Sequence, residues 1–212
     1  MAGRERSTKQ AWVTREKLDR ADSATRASLL RAAQSVFERR GYARTTIADI
    51  TGEARVGRAT FYVYFASKED VFAVLAREVR DRFVAAQELT GVDADDPYAV
   101  AEATNAAFLD AYTANLAFIT VLEHQSLTDP DMQALWEEIH SRPRRRTTRY
   151  IQRLVDQGVA RPAAPPESVA RATGGMVAMF APLVARELER RPEVIAHVTA
   201  MFLRLLGLEP RE

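Results

Sequence analysis

The stretch TTIADITGEARVGRATFYVYF, residues 45–65, constrains the fold of this chain more than any other feature. It contains two short helical patterns, 45–54 and 58–65, with only three residues between them. Because three residues allow only a sharp change of direction, the spacing predicts a helix-turn-helix, the motif that lays its second helix in a DNA groove. The pattern alone fits equally well a plain helical hairpin with tyrosines at the edge of its core.

Helical spacing of apolar residues continues through nearly all of the 212-residue chain, and alternating strand patterns are nearly absent. After a break at 91–97, the pattern predicts two helices with a bend near Asn115. A further helix follows, in which Pro143 should cause a kink or an interruption, and two more helices end the chain. We therefore predict an all-α protein with an N-terminal three-helix helix-turn-helix domain and a larger helical domain.

Composition excludes several kinds of site. The chain has no cysteine, so disulfides, thiolate metal sites and cysteine nucleophiles are ruled out, and its three histidines form no metal or catalytic motif. We expect no cofactor, no metal and no enzyme activity, and a helical enzyme is the weakest alternative. The charged N-terminus lacks the apolar core of a signal peptide, and the apolar run 172–185 is too short to span a bilayer. A cytoplasmic protein with no membrane partner is expected.

Charge is distributed unevenly along the chain. Residues 1–70 hold 14 Lys and Arg against 9 Asp and Glu, whereas the remainder holds 16 against 20. A basic first third suggests that this end meets a polyanion. Residues 1–22 would then form a basic flexible arm, which either enters a minor groove beside the main contact or makes no contact at all.

The second helix of the predicted motif has an inner and an outer face. Phe61 and Phe65 can pack inward, while Arg58 can reach a phosphate or the edge of a guanine. Thr45, as the expected N-cap of the first helix, lies where a helix N-terminus favours a phosphate. The side chains that this reasoning assigns to DNA are Arg44, Thr45, Thr46, Arg58, Thr60, Tyr62, Tyr64 and Lys68.

The segment GYARTTIADITGEARVGRATFYVYFASKEDVF, residues 41–72, resembles the DNA-binding signature of TetR-family transcriptional regulators. The matching residues are Gly41, Tyr42, Thr45, Thr46, Ile47, Ile50, Ala54, Val56, Thr60, Phe61, Tyr62, Tyr64, Phe65, Ser67, Lys68 and Glu69. Three positions depart from the family pattern. Arg55 replaces the turn glycine and must either adopt a left-handed conformation or reshape the turn, Gly57 replaces a capping serine, and Ala59 replaces a glycine that faces DNA.

The resemblance implies a function and a domain organisation. It implies a dimeric repressor that binds an inverted-repeat operator in double-stranded DNA and is released by a small-molecule effector of unknown identity. The DNA-binding domain would span 23–68, and the ligand-binding and dimerisation domain 69–212. The alternative is a regulator controlled by a protein partner, with no small ligand.

The resemblance also directs attention to two sets of residues in the larger domain. The candidates for the effector pocket are Phe108, Tyr112, Phe118, His124, Trp136, His140, Met176 and Phe180. The candidates for a homodimer interface are Gly174, Met179, Val194, Val198, Met201, Phe202 and Leu205. Both sets fit an ordinary intramolecular core as an alternative. The arginine cluster at 142–149 is either a solvated face or a contact for an acidic effector such as an acyl-coenzyme A.

Overall fold

The computed structural model of this chain describes residues 24–209, and within that range every regular element is helical. The all-α prediction is therefore confirmed. The predicted arm at 1–22 lies outside the described residues. Helix α1 covers 24–40, and the helices that follow are α2 Ile47–Ala54, α3 Arg58–Tyr64, α4 Lys68–Ala85, α5 Pro97–Ala114, α6 Leu116–Ser126, α7 Pro130–Asp156, α8 Pro166–Arg186 and α9 Arg191–Leu205. A short 3-10 turn, Leu188–Arg190, connects the last two.

The chain divides into two compact units, one ending at Leu75 and the other beginning at Ala76, so that the division falls inside α4. In the first unit, α1 buries Leu29, Ala33 and Phe37 completely. The ring of Phe37 meets the edge of Phe72 at 5.0 Å between centroids. Each such large apolar side chain contributes about 1.5–3 kcal/mol on burial. This core fixes the position of the two short helices α2 and α3.

In the second unit, Asn115 separates α5 from α6, which confirms the predicted bend. Its side chain is buried, with Nδ2 donating to the Ala111 carbonyl at 2.7 Å and Oδ1 accepting from the Arg82 guanidinium. The Asn115 amide therefore provides a partner for the Ala111 carbonyl and for the Arg82 guanidinium at the point where α5 ends. A shorter polar residue could not reach both.

Helix α7 runs through Pro143 as one helix, so of the two predicted outcomes, a kink or an interruption, the interruption does not occur. A proline inside a helix removes one backbone hydrogen bond and costs about 3 kcal/mol. Helix α7 packs against α6 and α8, and it buries Met132, Ile139, Ile151 and Leu154. At about 1.5–3 kcal/mol for each of these side chains, the packing exceeds the cost of the proline.

Helix α8 packs against α5, α7 and α9. Among the helices of residues 24–209, it is the one whose length and composition would allow it to cross a membrane, a test that core helices of soluble proteins also pass. The end of α9 is held by the loop before α8, because Arg161 N–H donates to the Leu206 carbonyl at 2.9 Å. Gly207 lies against this loop with a positive φ of 74°.

Candidate functional site

The turn between α2 and α3 depends on Arg55. Its φ of 55° and ψ of 42° lie in the left-handed region, which confirms that this arginine adopts the conformation of the glycine it replaces. Its backbone N–H donates to the carbonyls of Thr51 and Gly52 and closes α2. Val56 N–H adds a bond to the Thr51 carbonyl at 3.0 Å. The chain then enters α3 at once, which gives the tight angle between the two helices.

Helix α3 buries one face and exposes the other. Phe61 and Phe65 are buried in the first unit, as their spacing predicts. Arg58, Ala59 and Tyr62 are exposed, with Tyr62 keeping 50% of its surface. Thr60 and Tyr64, which we also assigned to DNA, are only partly exposed.

Sequence reasoning missed Val63, which is 74% exposed. It lies four residues after Ala59 and so on the same outer face, next to Tyr62. An exposed valine in the middle of a helix gains nothing from water, and its methyl groups suit contact with a thymine methyl. The helical spacing from Ala59 was the signal that could have identified it.

The start of α2 places the two threonines differently from the prediction. Thr46, not Thr45, is the N-cap. Its hydroxyl accepts from the Asp49 backbone N–H, and the Asp49 carboxylate accepts in turn from the Thr46 N–H and hydroxyl, which completes a capping box. These bonds lower the pKa of Asp49, and the Arg40 guanidinium paired with it lowers that pKa further. Thr46 is exposed and keeps its place on the surface expected to face DNA.

Thr45 is only 2% exposed, and its hydroxyl donates to the Gly41 carbonyl at 2.8 Å. Its side chain is therefore turned inward and is not available for a phosphate, which corrects that assignment. Arg44, the residue before it, is exposed and is steadied by a bond from Nε to the Arg40 carbonyl at 2.9 Å.

Lys68, at the first position of α4, is fixed before any ligand binds. Its Nζ donates to the Tyr42 carbonyl at 3.1 Å and lies 4.2 Å from the centre of the Tyr42 ring. The Tyr42 hydroxyl donates in turn to Glu69 at 2.9 Å. An ammonium group has three hydrogens and the Tyr42 carbonyl uses one, so Lys68 can still donate to a phosphate with little loss of side-chain entropy.

The second unit contains a cavity of about 930 Å³ between α5, α7 and α8. Four of the predicted pocket residues line it, namely Phe108, Tyr112, Trp136 and His140. Burial raises the pKa of Tyr112 and lowers that of His140. The other four predicted residues do not line it. Phe118 is buried, His124 is exposed, and Met176 and Phe180 are partly exposed.

The residues proposed for a dimer interface divide in the same way. Val194, Val198 and Phe202 are buried inside their own chain, so they have no surface to offer a partner, and the prediction is corrected for them. An apolar stripe on an amphipathic helix marks its buried face whether the partner belongs to the same chain or to another. Met179 is 79% exposed, Met201 is also exposed, and Gly174 and Leu205 are partly exposed.

Comparisons with known proteins agree with this geometry. The sequence profile of the family described as bacterial regulatory proteins, tetR family, matches residues 29–75. The chain is 26% identical over 171 residues to YfiR of Bacillus subtilis, an uncharacterized HTH-type transcriptional regulator, across 75% of this chain and 77% of YfiR. It is 28% identical over 120 residues to the HTH-type transcriptional repressor NicS of Pseudomonas putida, across 57% of this chain and about half, 55%, of NicS.

The fold is also shared with solved structures. A bacterial regulatory protein in the tetR family from Rhodococcus RHA1 superposes with a TM-score of 0.73 at 19% identity, over 88% of this chain and 98% of that one. The left-handed turn, the exposed face of α3, the profile match and the common fold all lead to one conclusion. The helix-turn-helix of residues 29–75 is that of TetR-family transcriptional regulators, and the described chain shares the fold of such proteins.

Proposed function

We propose that this regulator is a cytoplasmic repressor that binds an inverted-repeat operator as a homodimer and leaves it when a small molecule occupies the cavity of the second unit. The observation that carries the DNA part is the outer face of α3, where Arg58 and Tyr62 are exposed directly after a tight turn. The name of NicS, a repressor, supports repression over activation. In this proposal residues 23–68 bind DNA and residues 69–212 bind the effector and the partner subunit.

In this proposal Arg58 and Thr60 read base edges, and Tyr62, Lys68, Arg44 and Thr46 hold phosphates. Footprinting on the DNA beside the gene supplies the operator, and a scrambled duplex of equal length is the control. Replacing Arg58 with Ala should relax preference at one base pair in each half-site at a cost of about 1–3 kcal/mol. Replacing Lys68 with Ala should weaken all DNA alike and reduce the salt slope by about one counterion. An Arg58→Ala variant that weakens both duplexes equally would show that Arg58 only contacts the backbone.

The dimer proposal now depends on the exposed residues of α8 and α9. A seven-residue recognition helix contacts few base pairs, so two subunits are needed, and their two-fold symmetry matches an inverted repeat. We expect Met201→Glu to give a folded monomer by analytical ultracentrifugation that no longer binds the operator. Leu127→Glu is the matched control, because Leu127 is 78% exposed at the end of α6. A Met201→Glu protein with the native mass and operator affinity would exclude this interface.

The effector proposal depends on the cavity, whose volume lies in the range that small-molecule sites occupy. A ligand at one hundred times its dissociation constant should stabilise the protein by about 2.7 kcal/mol. Because the two binding free energies are linked, the ligand should lower the affinity for the operator by the same factor as the operator lowers the affinity for the ligand. If every stabilising compound in a thermal-shift screen leaves operator affinity unchanged, control by a protein partner replaces this part of the proposal.

A further inference from the structure

The lining of the cavity in the second unit differs from one wall to the next. The aromatic wall consists of lining residues from α5 and the first half of α7, and the basic wall consists of arginines from the second half of α7 and from α8. From this arrangement we propose that the cavity takes a ring-containing organic anion, with its rings against α5 and its anionic group toward the arginines of α7. The inference rests on the proposed effector function and adds the chemical class of the effector.

The aromatic wall is formed by Phe108 and Tyr112 of α5 with Trp136 of α7. These rings are held by others, since Phe108 meets Phe83 edge-on at 4.9 Å and Trp136 lies 4.2 Å from the ring of His140. A wall of fixed rings favours a flat, polarisable ligand, because ring pairs gain beyond the area that they bury. It gives no advantage to a small ion alone.

The spacing of residues on α7 shows which face of this helix lines the cavity. Trp136, His140, Pro143, Thr147 and Tyr150 recur every three or four residues and line the cavity. The arginines that also line it are Arg144, Arg146, Arg149 and Arg153 on α7 and Arg171 on α8. The acidic lining residues are Glu123 and Glu137, so the lining is basic although residues 71–212 are acidic in sum.

Three of these arginines remain available to a ligand. Glu137 is already paired with Arg144 at 3.1 Å. Within residues 24–209, no carboxylate lies within 4.0 Å of the guanidinium of Arg146, Arg149 or Arg171. A second, smaller cavity shares Arg144, Arg146 and Arg149 with the first and adds Arg142 and Arg145. Glu167 also lines the second cavity, but arginines outnumber carboxylates in both linings. This excess of positive charge favours an anion there, since guanidinium matches carboxylate, phosphate and sulfonate oxygens in geometry.

Gln87 gives independent evidence that the cavity is built for a ligand. The residue is only 7% exposed, and its Nε2 donates to the Pro143 carbonyl at 3.2 Å and to the Thr147 hydroxyl at 3.3 Å. Because a carbonyl can only accept, the orientation of the amide is fixed, and Oε1 is left without a donor. A buried polar atom without a partner is unfavourable, and a ligand in the cavity that Gln87 lines can supply the missing donor.

Two further polar side chains, His140 and Tyr150, lie in the cavity wall. His140 Nδ1 donates to the Trp136 carbonyl at 2.8 Å, so Nε2 is an acceptor while the ring is neutral. Burial is the main cause that lowers the pKa of His140, and the charge of Arg144 lowers it further. The hydrogen bond to the Trp136 carbonyl and the charge of Glu137 oppose this effect only in part. Tyr150 also lines the cavity, and the Arg153 guanidinium lies 5.2 Å from the centre of its ring.

The test uses two fluorescent probes with the same ring skeleton. The first, 8-anilinonaphthalene-1-sulfonate, is an anion, and the second, N-phenyl-1-naphthylamine, lacks only the sulfonate. Both increase their emission in apolar sites. The native protein should bind the sulfonate about tenfold more tightly than the neutral probe. Each partly exposed ion pair with the sulfonate contributes modestly, so a protein carrying both Arg146→Gln and Arg149→Gln should lose the preference for the sulfonate probe. The same protein should keep its affinity for the neutral probe within about twofold, because that probe forms no ion pair.

Two controls test whether a change in probe binding arises from the cavity. The double variant Arg77→Gln and Arg161→Gln removes the same charge from exposed positions that line neither cavity, and it should keep the preference. Gly174→Leu should weaken both probes, because Gly174 lines the cavity and a Cβ added there meets no atom within 4 Å. Equal loss of sulfonate preference in both arginine variants, or probes unaffected by Gly174→Leu, would overturn the assignment.

The outcomes separate this inference from the function on which it rests. If both probes bind equally and the arginine variants change neither, the anionic class is wrong while the cavity remains a ligand site. If neither probe binds, this inference fails together with the effector proposal. A sulfonate preference that disappears only with Arg146 and Arg149 supports both.

Discussion

The left-handed arginine of the helix-turn-helix leads to a prediction about stability. Arg55 occupies a backbone conformation that glycine adopts freely and other residues adopt at a cost. Its side chain is exposed, and its guanidinium makes no ion pair with any residue of 24–209. Replacing Arg55 with Gly should therefore stabilise the protein, because it removes backbone strain without removing a contact of the described chain.

The magnitude follows from two opposing terms. A left-handed conformation costs a residue with a Cβ about 1–2 kcal/mol. Glycine has more freedom in the unfolded chain, which costs about 0.5–1 kcal/mol on folding. The net stabilisation is about 0.5–1 kcal/mol. For a chain of this length each kcal/mol raises the melting temperature by about 2–4 °C, so the expected increase is about 1–4 °C.

The matched variant is Arg55→Ala, which removes the charge and keeps the Cβ. We expect its melting temperature to remain at the native value, since exposed substitutions change stability by less than about 0.5 kcal/mol. Both variants lack the guanidinium, so any contact of Arg55 with a phosphate is lost equally in operator-binding assays. Differential scanning calorimetry of the three proteins decides the question. If Arg55→Gly and Arg55→Ala melt together, backbone strain at this turn is not what limits stability.

Two further predictions concern the second unit. Gly207→Ala should destabilise the protein by about 2–5 kcal/mol, because the added Cβ would lie 2.5 Å from the Arg161 carbonyl oxygen and alanine would also adopt a left-handed conformation at a cost. Gly158 has a similarly positive φ but open space around it, so Gly158→Ala should cost only about 1–2 kcal/mol. Equal losses of stability in chemical denaturation would refute the close contact at Gly207. Burial lowers the pKa of His140 below its unfolded value, so its contribution to stability is complete above about pH 6.5 and declines as the pH falls below that value. His140→Gln should flatten the melting temperature over that window, and a variant whose melting temperature falls as steeply as that of the native protein would refute the role of His140.

Much of the first unit was predictable because its constraints are local. Three residues between two helical patterns require a tight turn, and this limited Arg55 to a left-handed conformation or a reshaped turn, of which the structure shows the first. The choice between Thr45 and Thr46 as N-cap was also open to a local argument, which the prediction of Thr45 overlooked. Both residues can cap a helix, and the decision depends on Asp49 lying three residues after Thr46, where it completes the capping box.

The second unit was less predictable because apolar spacing identifies a buried face but not what covers it. Val198 and Phe202 have the same spacing as residues of a dimer interface, yet their own chain covers them. The aromatic residues could not be assigned from spacing either, since Phe118 is buried in the core whereas Trp136 lines a cavity. The arginines of α7 were visible in the sequence, but the cavity that they line depends on how α5 and α8 pack against that helix.

The proposed dimer face and the cavity share residues on α8, and this makes the two proposals dependent on each other. Gly174, Gly175 and Met179 line the cavity, while Gly174 and Met179 also belong to the predicted dimer interface. A partner that packs on these residues must change the edge of the cavity, so by linkage the ligand affinity must differ between monomer and dimer. For a coupling of about 1–3 kcal/mol, the sulfonate probe should bind native dimer and Met201→Glu monomer with dissociation constants that differ about 5- to 150-fold. Met201 does not line the cavity, so its replacement changes the assembly and leaves the lining intact. Equal probe affinity for a verified monomer and a verified dimer would show that the dimer forms through a surface away from this edge of α8.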